Sequence, residues 1–412
     1  MRIALVSREY PPSQRAGGIA TYVQETARKM AQLGHTVYVI AASDDIHSST
    51  KELDAGVTVF RLSGADFYIC NRNTKFGLLR SKIRGMLNYR SYRRNVASCL
   101  NALEEANLID VIEFADFGNE GAEWIKSISK TPWIVRLHGP TLLDRSRGAK
   151  ISALRNPIAY YHGQKELETI RQANVVTSPT DAMARLVSSW CSRRNDIVTI
   201  GNHIDVERWA RSPSDVIDPE SNDRSSIIFS AGTVSHEKGH FDLVKAVELL
   251  KGQGMKIQLK IAGRKGRLAR QLAKRKSTSI QNGYIELLGP LPRDDLSDLY
   301  GRSDLVVFPS WWEPFGLVCV EAMASGALVL GSLCGGMKEI IEDEKSGYLI
   351  SPSDPAALAE KISNILSLNI QLKNQVRLNA RKRAEIYDSD CIVKKQLEIY
   401  QRAIDSRAEQ KS

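Results

Sequence analysis

No part of this sequence stays apolar for long. The first apolar run covers only residues 3–6, whereas a secretory signal core takes ~7 to 15 apolar residues and a membrane-spanning helix takes ~20. These absences predict a mature cytosolic chain. The six cysteines, Cys70, Cys99, Cys191, Cys319, Cys334 and Cys391, form no C-x-x-C pair and fall in apolar periodic segments, which predicts reduced core thiols rather than disulfides or a thiolate zinc site. No G-x-G-x-x-G follows the first strand pattern, which weighs against a nicotinamide dehydrogenase. No cluster of His and Asp has metal-ligand spacing, and no D-x-D stands in a strand-end loop, so no metal or other cofactor is required. Internal repeats and low-complexity tracts are also missing.

What is present is ordinary globular material. The chain has 412 residues, 42% hydrophobic and 25% charged, enough for two cores, because single cores stop growing beyond ~250 to 300 residues. The formal charge of +10 implies an anionic partner without naming it.

Apolar runs of strand length recur at residues 2–7, 35–42, 57–63, 110–114, 133–138, 175–178 and 197–200, separated by helical patterns. One of these, residues 19–33, puts Tyr22, Thr26, Met30 and Leu33 on one face. Such alternation predicts right-handed crossovers and a parallel sheet covered on both faces. After a polar stretch rich in Ser, Asp and Pro, it restarts at residues 227–230, 257–262, 285–288, 305–308 and 327–330. The expected organisation is α/β: an N-terminal domain over residues 1–205, a linker over 206–226, a second doubly wound domain over 227–390, and a C-terminal helix over 391–412 that crosses back to the first domain. Open α/β sheets bind ligands at the carboxyl ends of their strands, which points to a site between the domains.

The most informative segment is Pro309-Ser-Trp-Trp-Glu-Pro-Phe-Gly-Leu-Val-Cys-Val-Glu-Ala-Met-Ala-Ser-Gly326. A buried strand enters an aromatic and proline-rich loop, and a helix starting near Gly316 carries Glu321, eight positions after Glu313. Two glutamates so spaced ordinarily mark a solvated helix face. Here the free N–H groups of Phe315, Gly316 and Leu317 open a helix, and such a start offers donors and partial positive charge to sugar hydroxyls or phosphate oxygens. This segment resembles family 4 of the glycosyltransferases, retaining enzymes of GT-B fold with an E-x7-E signature, and the similarity extends over nearly the whole chain. The resemblance implies two Rossmann-like domains facing each other across a cleft. It also implies that Glu313 lies at the donor sugar and that Glu321 binds the ribose of the nucleotide.

The segment Ala231-Gly-Thr-Val-Ser-His-Glu-Lys-Gly239 would by itself read as a surface turn. Following the first strand of the second domain, it resembles the family's phosphate loop, with Gly232 at its start and Lys238 as the cation on the leaving diphosphate. Where the family often has arginine, this chain has Thr233. A hydroxyl gives one neutral hydrogen bond in place of a charged fork, so the phosphates lean on Lys238 or on Arg264. In the first domain, Gly17 and Gly18 stand in the first strand-to-helix loop, where a bare backbone can approach phosphate closely; the segment resembles the family's first such loop, which puts them at the donor phosphates or the acceptor edge. His138 ends a strand and resembles the family's histidine beside the donor sugar. Gly201-Asn-His-Ile-Asp205 resembles an Asn-Gly-Val-Asp step of the family. Asn202 thereby joins the donor site, and His203, replacing glycine, calls for an uncommon backbone conformation at 202 or 203. Base contacts are expected from backbone around Gly289 to Leu291.

The implied reaction moves a sugar from a UDP-, GDP- or ADP-sugar to an acceptor saccharide or lipid-linked saccharide, in polysaccharide or glycoconjugate biosynthesis. The alternatives are a nucleotide-sugar epimerase or sugar phosphorylase of the same fold, and a nucleic-acid-binding α/β protein supported only by basic segments. Those segments lack the interleaved aromatics of an RNA-binding sheet, so no nucleic acid partner is expected. From residue 71 to 103 there is no acid, while Arg72, Lys75, Arg80, Lys82, Arg84, Arg90, Arg93 and Arg94 interleave with apolar residues. That pattern suits a peripheral encounter with the cytoplasmic face of an anionic membrane, a solvated basic helix, or a site for an anionic polysaccharide.

Overall fold

The computed structural model describes residues 1–13, 17–64, 75–127, 129–144, 148–191, 196–210, 224–264, 266 and 283–409, with backbone alone for residues 75–88. It divides into two compact units. The first comprises Met1–Leu143, Lys150–His203 and Ser389–Ser412, and the second comprises Asp144–Ala149 and Ile204–Asp388.

In the first unit, eight strands form one sheet in the order β10-β9-β6-β5-β1-β2-β4-β3. They are β1 (Arg2–Val6), β2 (Thr36–Ala42), β3 (Thr50–Asp54), β4 (Val57–Leu62), β5 (Val111–Ala115), β6 (Trp133–Arg136), β9 (Val175–Ser178) and β10 (Ile197–Thr199); β7 (Leu143–Asp144) and β8 (Ala149–Lys150) are two-residue strands. The sheet departs from the all-parallel expectation at one edge, where β3 pairs antiparallel with β4. The reason is local: the side chains of Thr50 to Leu53 are exposed and Asp54 is half-buried, so this strand covers an edge without adding to a core. The inner strands are apolar on both faces, as β1 with Ile3, Ala4, Leu5 and Val6 all buried, because helices cover both sides. Tyr22, Thr26 and Met30 of the helix Gly18–Gln32 face inward.

The helix Ser389–Glu409 belongs to this same unit and contributes Val393, Leu397, Tyr400 and Ala403 to its core. Glu113, buried on β5, accepts from Gln396 Nε2 at 3.0 Å and from Tyr400 Oη at 2.8 Å. Cys391 on this helix is exposed, contrary to the expectation of core thiols, whereas Cys191 and Cys319 are buried and Cys99 and Cys334 half-buried, all as free thiols. Cys70 lies outside the described residues.

The second unit has a six-stranded parallel sheet in the order β13-β12-β11-β14-β15-β16, from β11 (Ser226–Ala231), β12 (Ile257–Ala262), β13 (Ile285–Gly289), β14 (Leu305–Phe308), β15 (Val329–Ser332) and β16 (Tyr348–Ile350). One face packs Leu243, Val247, Leu358 and Ile362, the other Tyr300, Val320, Met323 and Met337. Where a linker was expected, Val206–Trp209 is a short helix whose Trp209 is buried in the second unit's core, and residues 211–223 lie outside the described residues.

Each sheet reverses its strand order once. The chain steps outward from β1 and returns to β5 on its other side; in the second unit it steps outward from β11 and returns to β14. Between such strands the loops at their carboxyl ends diverge and leave a crevice, where doubly wound folds bind ligands.

Candidate active site

The loops leaving β11 and β14 meet at the second sheet's reversal point. Lys238 Nζ lies 2.5 Å from Glu313 Oε2, and Ser310 Oγ donates to the same oxygen at 3.3 Å. Glu313 is buried, and its partner is only about a quarter exposed (side-chain exposures 11% and 26%). The two loops are stitched together elsewhere as well. Trp311 N–H donates to Glu237 O at 2.9 Å, and Trp311 Nε1 donates to Asp242 Oδ2 at 2.7 Å. Gly239 has φ 67°, and a Cβ there would lie 1.8 Å from Pro309 O, so only glycine lets the Lys238 turn approach β14 so closely.

Beneath them, His240 is fully buried, with Nε2 3.2 Å from Ser230 Oγ, which in turn donates to Val307 O at 2.7 Å. Burial first, and the charge of Lys238 second, push its imidazole down to about 3. It is a neutral bridge between the two strands. A third loop holds Glu313 from behind: Gly336 N–H donates to Glu313 O at 2.8 Å, and a Cβ on Gly335 would lie 2.2 Å from that oxygen. Cys334 Sγ–H donates to Ser310 O at 3.3 Å, and burial first, then the Glu313 charge, push its thiol up to about 11.

The other expected residues of this half fall along the same edge. Gly232, Gly263 and Gly289 close three adjacent strands with φ of 134°, 138° and 78°. Gly232 N–H reaches Ala262 O at 2.9 Å and Gly263 N–H reaches Gly289 O at 2.7 Å, extending the ladder past the strands. Thr233 and Arg264 are exposed, and Val234 N–H donates to Arg264 O at 3.0 Å. Leu291 is half-buried against the core. Gly316, with φ 120°, caps the helix Leu317–Ala324 on which Glu321 stands half-buried. Cys319 and Val320 N–H groups bond back to Gly316 O. The Phe315 ring is core, edge-on to Tyr387 at 5.4 Å between centroids, so only its backbone faces the helix start.

In the first unit, Gly17 caps the helix Gly18–Gln32, and a Cβ on the exposed Gly18 would meet nothing within 4 Å. His138 is buried two residues beyond β6. Asp116, at the end of β5, accepts from His138 N–H at 3.0 Å and Gly139 N–H at 3.1 Å. Burial, with Arg136 adding to it, pushes His138 down to about 3. Burial and the neighbouring Glu166 push Asp116 up to about 7. Tyr22 stands edge-on to His138 at 5.0 Å, with Arg136 5.2 Å above its face. Arg136 Nη2 also donates to Asn202 Oδ1 at 2.7 Å, so Tyr22 and Arg136 link His138 to Asn202.

The backbone strain expected at residues 202 and 203 is not there: neither has a left-handed backbone. His203 points inward, is buried, and meets Thr26 Oγ1 through Nε2 at 2.8 Å. A packed side chain takes up the space that glycine leaves open. Sequence reasoning missed Asp116, Arg136, Ser310, His240 and the pair Gly335 and Gly336. The adjacent glycines at a strand end were the only local signal among them.

The chain is similar to known proteins over nearly its whole length. The profile of Glycosyltransferase Family 4 matches residues 16–208, and that of Glycosyl transferases group 1 matches residues 214–383. An uncharacterised glycosyltransferase of Methanocaldococcus jannaschii is 26% identical, over 98% of this chain and 99% of that protein. The glycogen synthase of Mycobacterium tuberculosis is 24% identical, over 97% and 94% respectively. Among solved structures, sucrose-phosphate synthase from Thermosynechococcus elongatus superposes with TM-score 0.79 at 19% identity, covering 98% of this chain and 99% of that one. Anabaena HepE in complex with UDP-glucose superposes with TM-score 0.67 at 18% identity, covering 99% of each. The chain is a glycosyltransferase of GT-B fold, with two Rossmann-like α/β domains. It belongs to the family 4 type of these enzymes. The epimerase, phosphorylase and nucleic-acid alternatives are not what these similarities favour.

Proposed function

We propose that this enzyme transfers a sugar with retention of configuration from a nucleoside diphosphate donor to a saccharide or lipid-linked saccharide. The observation that carries the reading is the Lys238–Glu313 contact at the reversal point of the second sheet. It joins an ammonium to a carboxylate on two separate loops, beside a helix start. Lys238 and the N–H groups near Thr233, Gly316 and Leu317 would take the diphosphate, which the bare backbone of Gly232 lets come close, with Arg264 as the second cation. Glu321 would hold the ribose, backbone near Leu291 the base, and Glu313 the donor sugar. His138, neutral because buried, offers one N–H and one lone pair to the sugar rather than a charge; Gly17, Gly18 and Asn202 complete the donor set.

The bond from the anomeric carbon to the phosphate oxygen breaks as an oxocarbenium-like sugar develops, and the acceptor hydroxyl attacks from the same face. Its proton passes to the departing phosphate oxygen, so the step requires no protein nucleophile. The protein's contribution is preorganised charge for the leaving group and orientation of the sugar.

HepE was solved with UDP-glucose, which makes that donor the first to try. Thermal shift against UDP-, GDP- and ADP-sugars tests the reading, since a ligand at ~100 times its dissociation constant adds ~2.7 kcal/mol of stability. The preferred donor should then be hydrolysed slowly without acceptor. No shift with any nucleotide sugar would overturn the proposal, and release of an isomerised sugar would make the protein an epimerase. We place the acceptor reaction at the cytoplasmic face of an anionic membrane, on the strength of the acid-free basic segment at residues 71–103. No described helix is long and apolar enough to cross a membrane. Arg72 lies outside the described residues, whereas Arg90 and Arg94 are exposed on the helix Lys75–Glu105.

A further inference from the structure

A second surface of the first unit combines exposed apolar groups with charge of one sign. Residues 152–158 are exposed without interruption, and within eight positions Leu154 is 100%, Ile158 50% and Tyr161 56% accessible. Single exposed apolar residues need no explanation, but three grouped on one turn and the helix it opens do. The turn is held in shape. Arg155 and Asn156 N–H both donate to Ser152 O at 3.2 Å. Asn156 caps the helix Pro157–Gln172 by accepting from Ala159 N–H at 3.1 Å, with Pro157 at its first position. A preformed turn presents its side chains at little ordering cost.

Between Asp144 and Glu166 the sequence around this turn carries only positive charge. Residues 145–165 contain Arg145, Arg147, Lys150, Arg155 and Lys165 and no Asp or Glu; Arg145 and Arg147 lie outside the described residues, and Lys165 pairs with Glu168. On the same helix His162 is lowered by burial and then by Arg93, so the basic helix Lys75–Glu105 runs close by and brings the same sign. An acidic protein partner would match the charge without needing the apolar groups, and an apolar partner would not need the charge. An anionic bilayer matches both, taking apolar side chains at its interface and cations at its headgroups.

We propose that residues 152–161 are a membrane-contacting element, with Leu154, Ile158 and Tyr161 entering the interfacial layer of an anionic bilayer while Lys150 and Arg155 meet its headgroups. This deepens the membrane reading given for residues 71–103 and needs no assumption about the donor.

The test is co-sedimentation of the full chain with phosphatidylcholine vesicles, with and without phosphatidylglycerol, for wild type, Leu154→Ser/Ile158→Ser and Arg90→Gln/Arg94→Gln. Hydrogen exchange of residues 152–161 is followed in parallel. The substituted positions are exposed, so folding is not at stake. Expected are binding of wild type to the anionic vesicles, slowed exchange across residues 152–161 on binding, and about tenfold or greater weakening by the serine pair, with nucleotide-sugar affinity unchanged. Equal binding by wild type and the serine pair, with loss only in the arginine pair, would leave the basic helix as the sole contact and overturn the proposal. So would absence of vesicle binding, or self-association of wild type in the ultracentrifuge that the serine pair abolishes.

Discussion

Lys238 and Glu313 stand 75 positions apart in sequence, yet their side chains meet at 2.5 Å. The contact bridges the strands on either side of the sheet's reversal point, which are themselves neighbours. Lys238 thus carries two loads, neutralising Glu313 in the free enzyme and, on the reading above, the diphosphate in the loaded one.

That dual role separates stability from turnover. Lys238→Met should leave the buried Glu313 carboxylate short of its cation and cost on the order of 1–3 kcal/mol. Adding Glu313→Gln to it should restore part of the loss, because an amide needs no counter-charge. Urea unfolding of the two single variants and the double variant measures the coupling. Strict additivity would show the two groups to be independent.

In catalysis Lys238→Ala should slow turnover by roughly 10²- to 10³-fold, the size expected for one preorganised donor to developing charge, and weaken donor binding less. Glu313→Gln should likewise act on turnover. Calorimetry of the donor beside steady-state rates gives both quantities. Near-wild-type turnover in both variants would remove these residues from the reaction.

Glu321→Gln and Arg264→Ala should behave in the opposite way, raising the dissociation constant of the nucleotide while sparing the rate at saturation. Thr233 supplies no charge, so Arg264→Ala is expected to show the larger effect with the nucleoside diphosphate than with the nucleoside. Equal affinity in wild type and Arg264→Ala would mean that Thr233 and Lys238 suffice.

Two glycines of the strand-end row should differ sharply on substitution. A Cβ at Gly263 would lie 1.9 Å from Gly232 O, whereas one at Gly232 would meet nothing within 4 Å, although φ is positive at both. Gly232→Ala should therefore cost only the backbone strain, about 1–2 kcal/mol. Gly263→Ala has to move backbone as well and should be plainly worse. Denaturant midpoints compare them, and equal losses would contradict the close approach of the two strand ends.

The pH dependence of stability should carry the mark of Asp116. Its pKa is raised from 3.8 to about 7, so between these values the folded state holds a proton that the unfolded state has released. Stability from this group is therefore full below about pH 4 and falls as pH rises to about 7, by up to about 4 kcal/mol. Asp116→Asn does not titrate. The unfolding free energy of wild type minus that of Asp116→Asn should decline across this range. A difference that is flat or rises with pH would mean that Asp116 stays charged in the fold.

Inner strands were legible in the sequence because burial on both faces writes an unbroken apolar run. β12, β14 and β9 fall where residues 257–262, 305–308 and 175–178 predict them. β3 wrote nothing, since its side chains lie outside the core. β15 begins two residues later than its apolar run, because Ala327 and Leu328 are buried in the approach to the strand. The site shows the same division. Lys238, Glu313 and Glu321 sit in contiguous strand–loop–helix segments whose order is visible along the chain. Asp116 acts on the backbone of His138, 22 positions away on the neighbouring strand, and Arg136 on Asn202, 66 positions away. Such partnerships arise only when strands line up, and no local pattern records which strands will be neighbours.

The helix Ser389–Glu409 sets the order in which the two units can be finished during synthesis. The second unit is contiguous apart from Asp144–Ala149, and all of its segments have left the ribosome before this helix does. The first unit must wait with one face of β5 short of its covering helix, and with Glu113 lacking both Gln396 and Tyr400, until residues 389–409 arrive. A nascent chain therefore carries an unfinished amino-terminal half beside a completed carboxyl-terminal one. A molecule cut short before Ser389 keeps that exposed sheet, and with it a handle for chaperones and proteases that the full chain conceals.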